Sequence, residues 1–183
     1  MKKNRNIIEV TKRLPRSIKA GETVRIGENL WTFAIDAAPD DTSIIRVLKP
    51  SIRKYKNKDY KKENSQGAKR LVEYLNTIVE NHMEARNLTK DLKYLKVLDL
   101  EGLVGCEDNA IKEICSFNKE TFYLATAVNN REMYILQNGV LKTTGSNILE
   151  SKVLFSAWVE LDDLEFDPSR NQWIFRKGLA ETN

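Results

Sequence analysis

The sequence has few of the residues from which metal and redox sites are built. In 183 residues it contains one histidine, His82, and two cysteines, Cys106 and Cys115. One histidine excludes a paired-histidine metal site, and two cysteines nine residues apart with no nearby histidine do not form a zinc site. Cys115 falls within a predicted helix, so we expect both thiols to be reduced, as is typical of a cytoplasmic protein. We predict no metal and no cofactor.

Long apolar runs and nucleotide-binding or hydrolase motifs are also missing. The longest apolar-leaning run, FYLATAV at residues 122–128, is far shorter than the roughly 20 residues that cross a bilayer. The basic N-terminus has no apolar region after it and does not resemble a signal peptide. No phosphate-binding glycine loop and no GxSxG sequence occurs. His82 lies at the edge of an apolar helical stripe, where a partly buried structural histidine is expected. These absences favour a cytoplasmic, non-enzymatic protein without a membrane partner.

One loose acidic pattern leaves an enzymatic alternative open. Asp40 follows a proline, and Asp59 comes 19 residues later, two positions before Lys61. Metal-dependent nucleases use two carboxylates and a lysine at such spacing, but they need the second carboxylate on a strand held by apolar neighbours. Asp59 has no such neighbours, so a metal-dependent nuclease is the disfavoured alternative.

The first fifty residues have strand patterning and are predicted to form an N-terminal β region, residues 1–50. Apolar and polar residues alternate over residues 22–36 around a turn at residues 27–29, which indicates a hairpin. Residues 42–49 predict a third strand. Residues 51–65 then lose this periodicity and form a basic connector.

The third predicted segment, residues 66–183, begins with helices and ends in strands. Apolar residues at 3–4 spacing predict an amphipathic helix over residues 66–86, and shorter helices are predicted after Thr89 and Asp108. From Thr121 onward short strands alternate with turns, which predicts an antiparallel meander. Strands, helices and strands in this order indicate an α+β fold, and the three segments together fit one domain.

Charge is distributed unevenly along the chain. Residues 1–62 carry 16 Lys and Arg against 7 Asp and Glu, whereas the whole chain has a net charge of +4. From residue 46 to residue 70 the net charge is +8. Such a segment predicts a surface that binds a polyanion, because each contact with a phosphate releases condensed counterions.

We predict that this basic segment binds nucleic acid without reading its sequence. Tyr55 and Tyr60 are expected to offer rings on which bases could stack. Gly67, Lys69 and Arg70 stand where a helix begins, and unpaired N–H groups at a helix N-terminus favour a phosphate. The pattern does not distinguish DNA from RNA or single from double strands. The predicted contact residues are Arg53, Lys54, Tyr55, Lys56, Lys58, Tyr60, Lys61, Lys62, Lys69 and Arg70.

An acidic segment supports a second hypothesis. Five carboxylates occur within residues 160–167 with no basic residue between them. In this hypothesis the protein is an inhibitor of the anti-CRISPR type, as used by phages and mobile elements, or an adaptor. Either the acidic edge docks on the basic groove of a nucleoprotein effector, or the basic segment contacts the nucleic acid bound to that effector. That hypothesis rests on size and charge alone, and the oligomeric state stays open. The predicted partner-binding residues are Glu160, Asp162, Asp163, Glu165 and Asp167.

Overall fold

Strands dominate the chain. The computed structural model describes residues 14–41, 43–56, 67–88, 92–117, 121–143 and 148–176, and these form eleven strands, four α-helices and a short 3-10 helix. The strands are β1 (Thr23–Ile26), β2 (Asn29–Phe33), β3 (Ile44–Pro50), β4 (Tyr55–Lys56), β5 (Lys93–Val97), β6 (Thr121–Ala127), β7 (Met133–Gln137), β8 (Val140–Thr143), β9 (Glu150–Glu160), β10 (Leu164–Asp167) and β11 (Gln172–Phe175). The helices are α1 (Gly67–Asn81), α2 (Met83–Arg86), α3 (Leu100–Val104) and α4 (Asp108–Phe117), and the 3-10 helix is Leu161–Asp163.

The strands on both sides of the basic connector belong to one sheet. Its order is β10-β11-β1-β2-β3-β9-β6-β7-β8, with β4 and β5 also paired to β9. The predicted α+β class is therefore confirmed, and β1 to β3 and β6 to β8 are antiparallel as expected. Two pairs are parallel, β1 with β11 and β6 with β9, so the sheet is mixed. The N-terminal β region and the C-terminal strands thus share their hydrogen bonds.

Helices cover both faces of this sheet. Along β3, Ile45 and Val47 point into a core that also contains the apolar stripe of α1, while Leu48 points into a second core that contains Ile111 and Ile114 of α4. Alternate residues of a strand face opposite sides, so β3 contributes to both cores. The result is a central sheet with α1 on one side and α4 on the other.

The predicted long helix is divided at His82. The apolar stripe of α1 is buried as expected, but His82 has an extended backbone with φ −98° and ψ 136°, and α2 starts at the next residue. The break turns α2 away from the axis of α1. None of the helices in the described ranges is both long and apolar enough to span a membrane.

The predicted helix after Thr89 is wrong. Thr89 lies outside the described residues, and Lys93–Val97 form β5, which pairs with β9. Leu92, Leu95 and Leu98 have helical spacing, but hydrogen bonds to the central strand of the sheet override this local pattern. The helix predicted after Asp108 is confirmed as α4.

Candidate nucleic-acid interface

The beginning of the basic connector is part of the sheet. Tyr55 and Lys56 form β4 and pair with Ser151 and Glu150 of β9. Tyr55 is only 2% exposed, so its ring is not available for base stacking and the prediction for this residue is wrong. The charged neighbours of Tyr55 in the sequence suggested that its side chain is exposed. The antiparallel pairing with β9 instead directs this side chain into the core.

One carboxylate fixes this part of the backbone. Glu84 of α2 accepts hydrogen bonds from the N–H groups of Ile52 and Arg53 and from the Tyr55 hydroxyl group. Burial raises the pKa of Tyr55, and the nearby negative charge of Glu84 and their hydrogen bond raise it further. A neutral tyrosine therefore ties the connector to α2.

His82 completes the support beneath Tyr55. Its Nε2 atom lies 3.2 Å from the Tyr74 hydroxyl oxygen, and its ring contacts both Tyr55 and Tyr74 edge-on, with centroids 5.4 and 5.7 Å apart. The half-buried histidine is thus satisfied by its neighbours, as predicted.

The cations beside Tyr55 point away from this anchor. Arg53, Lys54 and Lys56 are all exposed. In the described ranges no carboxylate forms an ion pair with any of these three side chains, whereas Lys93, Arg170 and Arg176 are paired elsewhere. Three positive charges are therefore displayed on a backbone that the sheet and Glu84 hold in place.

The start of α1 differs from the predicted phosphate site. Gly67 and Ala68 are buried, and the Ala68 N–H group donates to the Asn130 carbonyl group over 3.1 Å. This N–H group is not open to a phosphate, and buried Gly67 does not allow a ligand to approach. The side chains of Lys69 and Arg70 are exposed.

Arg131 joins the basic residues at this end of α1. It follows Asn130, whose carbonyl group caps Ala68, and it is exposed. The Asn129 side chain accepts hydrogen bonds from the N–H groups of Arg131 and Glu132, which fixes the turn between β6 and β7. The sequence indicates only a turn here, because the contact with α1 bridges about sixty residues of chain.

The two basic groups lie at opposite ends of α1. Ala68, at its first turn, contacts Asn130, whereas His82, directly after its last residue, contacts Tyr55. The 15 residues of α1 span about 22 Å at 1.5 Å per residue. The predicted contact residues that the structure describes are therefore spread over an extended surface and do not form one cluster. We call Arg53, Lys54, Lys56, Lys69, Arg70 and Arg131 the basic surface.

Several predicted residues lie outside the described residues. These are Lys58, Tyr60, Lys61 and Lys62 of the connector, together with Asp59 of the nuclease alternative. Asp40 is exposed. Across the described ranges, no three His, Cys, Asp or Glu residues are grouped so that they could hold a metal ion.

The acidic segment is more fully compensated than its sequence suggests. Lys93 pairs with Glu160, and the Arg176 Nε atom lies 2.9 Å from Glu165. Asp167 accepts hydrogen bonds from Ser169, which lower its pKa, and Arg170 lies 3.9 Å away. The basic partners come from β5 and from the end of β11, which the sheet brings next to the acids.

A groove of about 630 Å³ lies next to the basic surface. It runs between the β1–β2 turn, the end of β3 with the residues after it, and α2 with the segment that follows. Arg53 belongs to both the groove and the basic surface, so the two features are continuous.

Comparison with known proteins identifies no relative. No protein-family model, curated protein or solved structure matches the chain at a significant level. The function is therefore argued from the geometry of the chain itself.

Proposed function

We propose that the protein is a non-enzymatic nucleic-acid-binding protein, and that the basic surface contacts the phosphate backbone. The observation that carries the proposal is the display of Arg53, Lys54 and Lys56 around buried Tyr55. Their backbone is held by β9 and by Glu84, so this backbone does not have to be ordered when a polyanion binds. Less conformational entropy is then lost on binding than for a free basic loop.

The spacing of the basic surface suits a polymer better than a single anion. Its two groups are separated by the length of α1, about 22 Å. This distance spans several phosphates, because the phosphates of one strand in a duplex follow each other about every 3.4 Å along the helix axis. A small anion would contact one group alone. A nucleic-acid strand could contact both and release counterions at each.

The binding mode proposed here is independent of base sequence at the phosphate contacts. Lysine and arginine at exposed positions recognise charge, and phosphate contacts carry no direct sequence information. Affinity should therefore depend strongly on salt and weakly on sequence. With six or more contacts, affinity should fall roughly a thousandfold between about 50 and 200 mM salt.

The test compares fluorescence anisotropy of labelled single-stranded DNA, RNA and duplex DNA at these two salt concentrations. The triple variant Lys54→Glu, Lys56→Glu, Lys69→Glu should lose binding. Each substituted residue is exposed and lacks an ion pair within the described residues, so each should change the free energy of unfolding by no more than about 0.5 kcal/mol.

A matched control reverses the same amount of charge elsewhere. Lys19, Lys112 and Lys142 are also exposed and are not part of the basic surface; they lie on the segment before β1, on α4 and on β8. The variant with Glu at these three positions should keep most of its affinity. Equal losses in both variants would mean that net charge, and not this surface, governs binding.

An inhibitor or adaptor of a nucleoprotein effector is the second candidate. It requires that the free protein does not bind naked DNA or RNA and that the acidic segment contacts a partner. The ion pairs of Glu160 and Glu165 make that segment less available, so nucleic-acid binding is the function that the geometry supports better. If the free protein did not bind DNA or RNA at low salt, the inhibitor or adaptor function would be favoured over nucleic-acid binding.

A further inference from the structure

We propose that the groove beside the basic surface receives one unpaired base of a bound strand, so that the protein prefers single-stranded nucleic acid. This inference rests on the proposed function and adds the class of substrate to it. A duplex keeps its bases stacked and paired, whereas a single strand can turn a base out of its backbone.

The walls of the groove offer apolar surface to a planar ring. Ile52, after β3, is 75% exposed, and Met83, at the start of α2, is 69% exposed. Both line the groove, from different elements, above a floor that includes Trp31 and Leu88. Two large apolar side chains this exposed on one groove indicate a surface that becomes covered when a ligand binds. A base inserted against Ile52 and Met83 would cover them.

Two side-chain amides in the groove can form hydrogen bonds with a nucleic-acid base. Asn29, the first residue of β2, and Asn87, after α2, both line it. Inside the described ranges, no residue forms a hydrogen bond with either side-chain amide. Each amide offers a donor group and an acceptor, which is the combination that matches the edge of an unpaired base. An aliphatic carboxylate offers only acceptors, so it would leave the carbonyl oxygens of both amides without a donor.

Glu84 and Lys49 are two of the charged residues that line the groove. Glu84 faces the groove, but its carboxylate already accepts three hydrogen bonds from Ile52, Arg53 and Tyr55. Lys49 is half-buried, and its Nζ atom donates a hydrogen bond to the Pro50 carbonyl group over 3.3 Å. Its ammonium group can therefore donate to a carbonyl oxygen or ring nitrogen of the base.

Arg53 connects the groove to the phosphate contacts. It lies at the exposed end of the groove next to Lys54. Glu28 is the opposing exposed carboxylate, on the β1–β2 turn. Because the cations continue into the basic surface and Glu28 stands apart from it, the strand should enter from the Arg53 side. The groove volume of about 630 Å³ also exceeds what one base requires and falls within the ordinary range of small-ligand sites.

The test measures the affinity of the full chain for a 12-nucleotide single strand and for the matching duplex. Wild-type protein should bind the single strand more tightly. The variant Ile52→Ser, Met83→Ser should lose about tenfold or more of its single-strand affinity, because the burial of two apolar side chains against the base is lost, and its duplex affinity should stay unchanged. Both residues are exposed, so the fold should be kept.

A matched control removes equal apolar surface from another place. Val140 and Leu141 of β8 are 55% and 44% exposed, and the variant Val140→Ser, Leu141→Ser should bind both nucleic acids like the wild type. As a second readout, the NMR side-chain amide signals of Asn29 and Asn87 should shift with the single strand and not with the duplex.

Two outcomes separate the inference from the proposed function. If the protein binds both forms equally and Ile52→Ser, Met83→Ser changes nothing, the groove inference is overturned and the basic surface stands. If wild-type protein binds neither form at low salt, both proposals fail.

Discussion

The hydroxyl group of Tyr55 donates a hydrogen bond to the carboxylate of Glu84 over 3.1 Å, and it joins two residues 29 positions apart. The same carboxylate accepts hydrogen bonds from the backbone N–H groups of Ile52 and Arg53. A strand of two residues would not hold this backbone alone. Glu84 therefore determines where Arg53 and Lys54 are displayed, although it lies on a different element.

Substitution of Glu84 should destabilise the protein through these three donors. Glu84→Ala leaves them without their acceptor, so we expect a loss of about 2–3 kcal/mol in the free energy of unfolding. Glu84→Gln keeps one acceptor oxygen and should lose less, and Tyr55→Phe should lose about 1 kcal/mol. Urea denaturation measures each value. The control is Glu80→Ala, at an exposed position of α1, which should change stability little; a Glu84→Ala variant as stable as this control would disprove the role.

Stability should fall at alkaline pH because of two buried tyrosines. Burial raises the pKa of Tyr55 and Tyr123 above the ordinary value of 10.0. Above pH 10 the unfolded chain therefore releases these protons while the folded chain retains them, and the free energy of unfolding decreases as pH rises. Their contribution is fully present below pH 10.

The variant Tyr55→Phe removes one of the two tyrosines whose ionisation should lower the stability at alkaline pH. The variant should lose stability less steeply than the wild type above pH 10, with a constant difference between them from pH 7 to 9. Urea unfolding at each pH measures both slopes. Lys49, whose pKa is lowered by burial, acts in both proteins and does not affect the comparison. Parallel slopes throughout would show that Tyr55 titrates normally in the folded state.

Local patterns in the sequence predicted the elements that depend on neighbouring residues. The type I′ turn between β7 and β8 follows from Asn138-Gly139, which have φ angles of 53° and 83°. The α1 stripe follows from the spacing of Leu71, Leu75 and Ile78, all buried. In both cases the information lies within a few residues.

Features that depend on distant residues were not predictable. Tyr55 carries charged neighbours, and only pairing with Ser151 and the contact with Glu84 bury it. β5 has helical spacing and becomes a strand because β9 supplies its hydrogen bonds. The contact of Ala68 with Asn130, which brings Arg131 to α1, has no local signal either. The positive charge of this part of the chain was evident from the sequence, but the length of the basic surface and the adjacent groove required the topology.

Substitution by alanine should have different effects on the free energy of unfolding at Gly102 and at Gly105. A Cβ atom on Gly102 would lie 2.7 Å from Leu98 Cδ1 and 2.8 Å from Arg46 Nη1, whereas one on Gly105 would have its nearest neighbour at 3.5 Å. Leu98 is fully buried, and Arg46 donates to the Gly102 carbonyl group while it stacks on Trp158. Neither group can move freely.

Gly102→Ala should therefore reduce the free energy of unfolding by about 1–3 kcal/mol, as for other overpacked sites. Gly105 has φ −80°, which any residue adopts, so Gly105→Ala should be neutral or stabilise by up to about 1 kcal/mol. Urea denaturation of both variants gives the comparison. Equal effects would show that the surroundings of Gly102 relax around a methyl group.

The variant Tyr94→Gly should be more stable than Tyr94→Ala, which is the reverse of the usual order in a strand. It lies in β5 at the register shift between Lys93 and Lys96, has φ +56°, and is 73% exposed. A side chain in this left-handed region has a cost of about 1–2 kcal/mol that glycine avoids. Tyr94→Ala and Tyr94→Gly both remove the exposed ring, so the difference between them reports the backbone alone. Thermal or urea unfolding should show the glycine variant more stable by about 1 kcal/mol. If alanine is the more stable of the two, the backbone at Tyr94 is not left-handed in solution, and the register shift between β5 and β9 would have to be placed elsewhere.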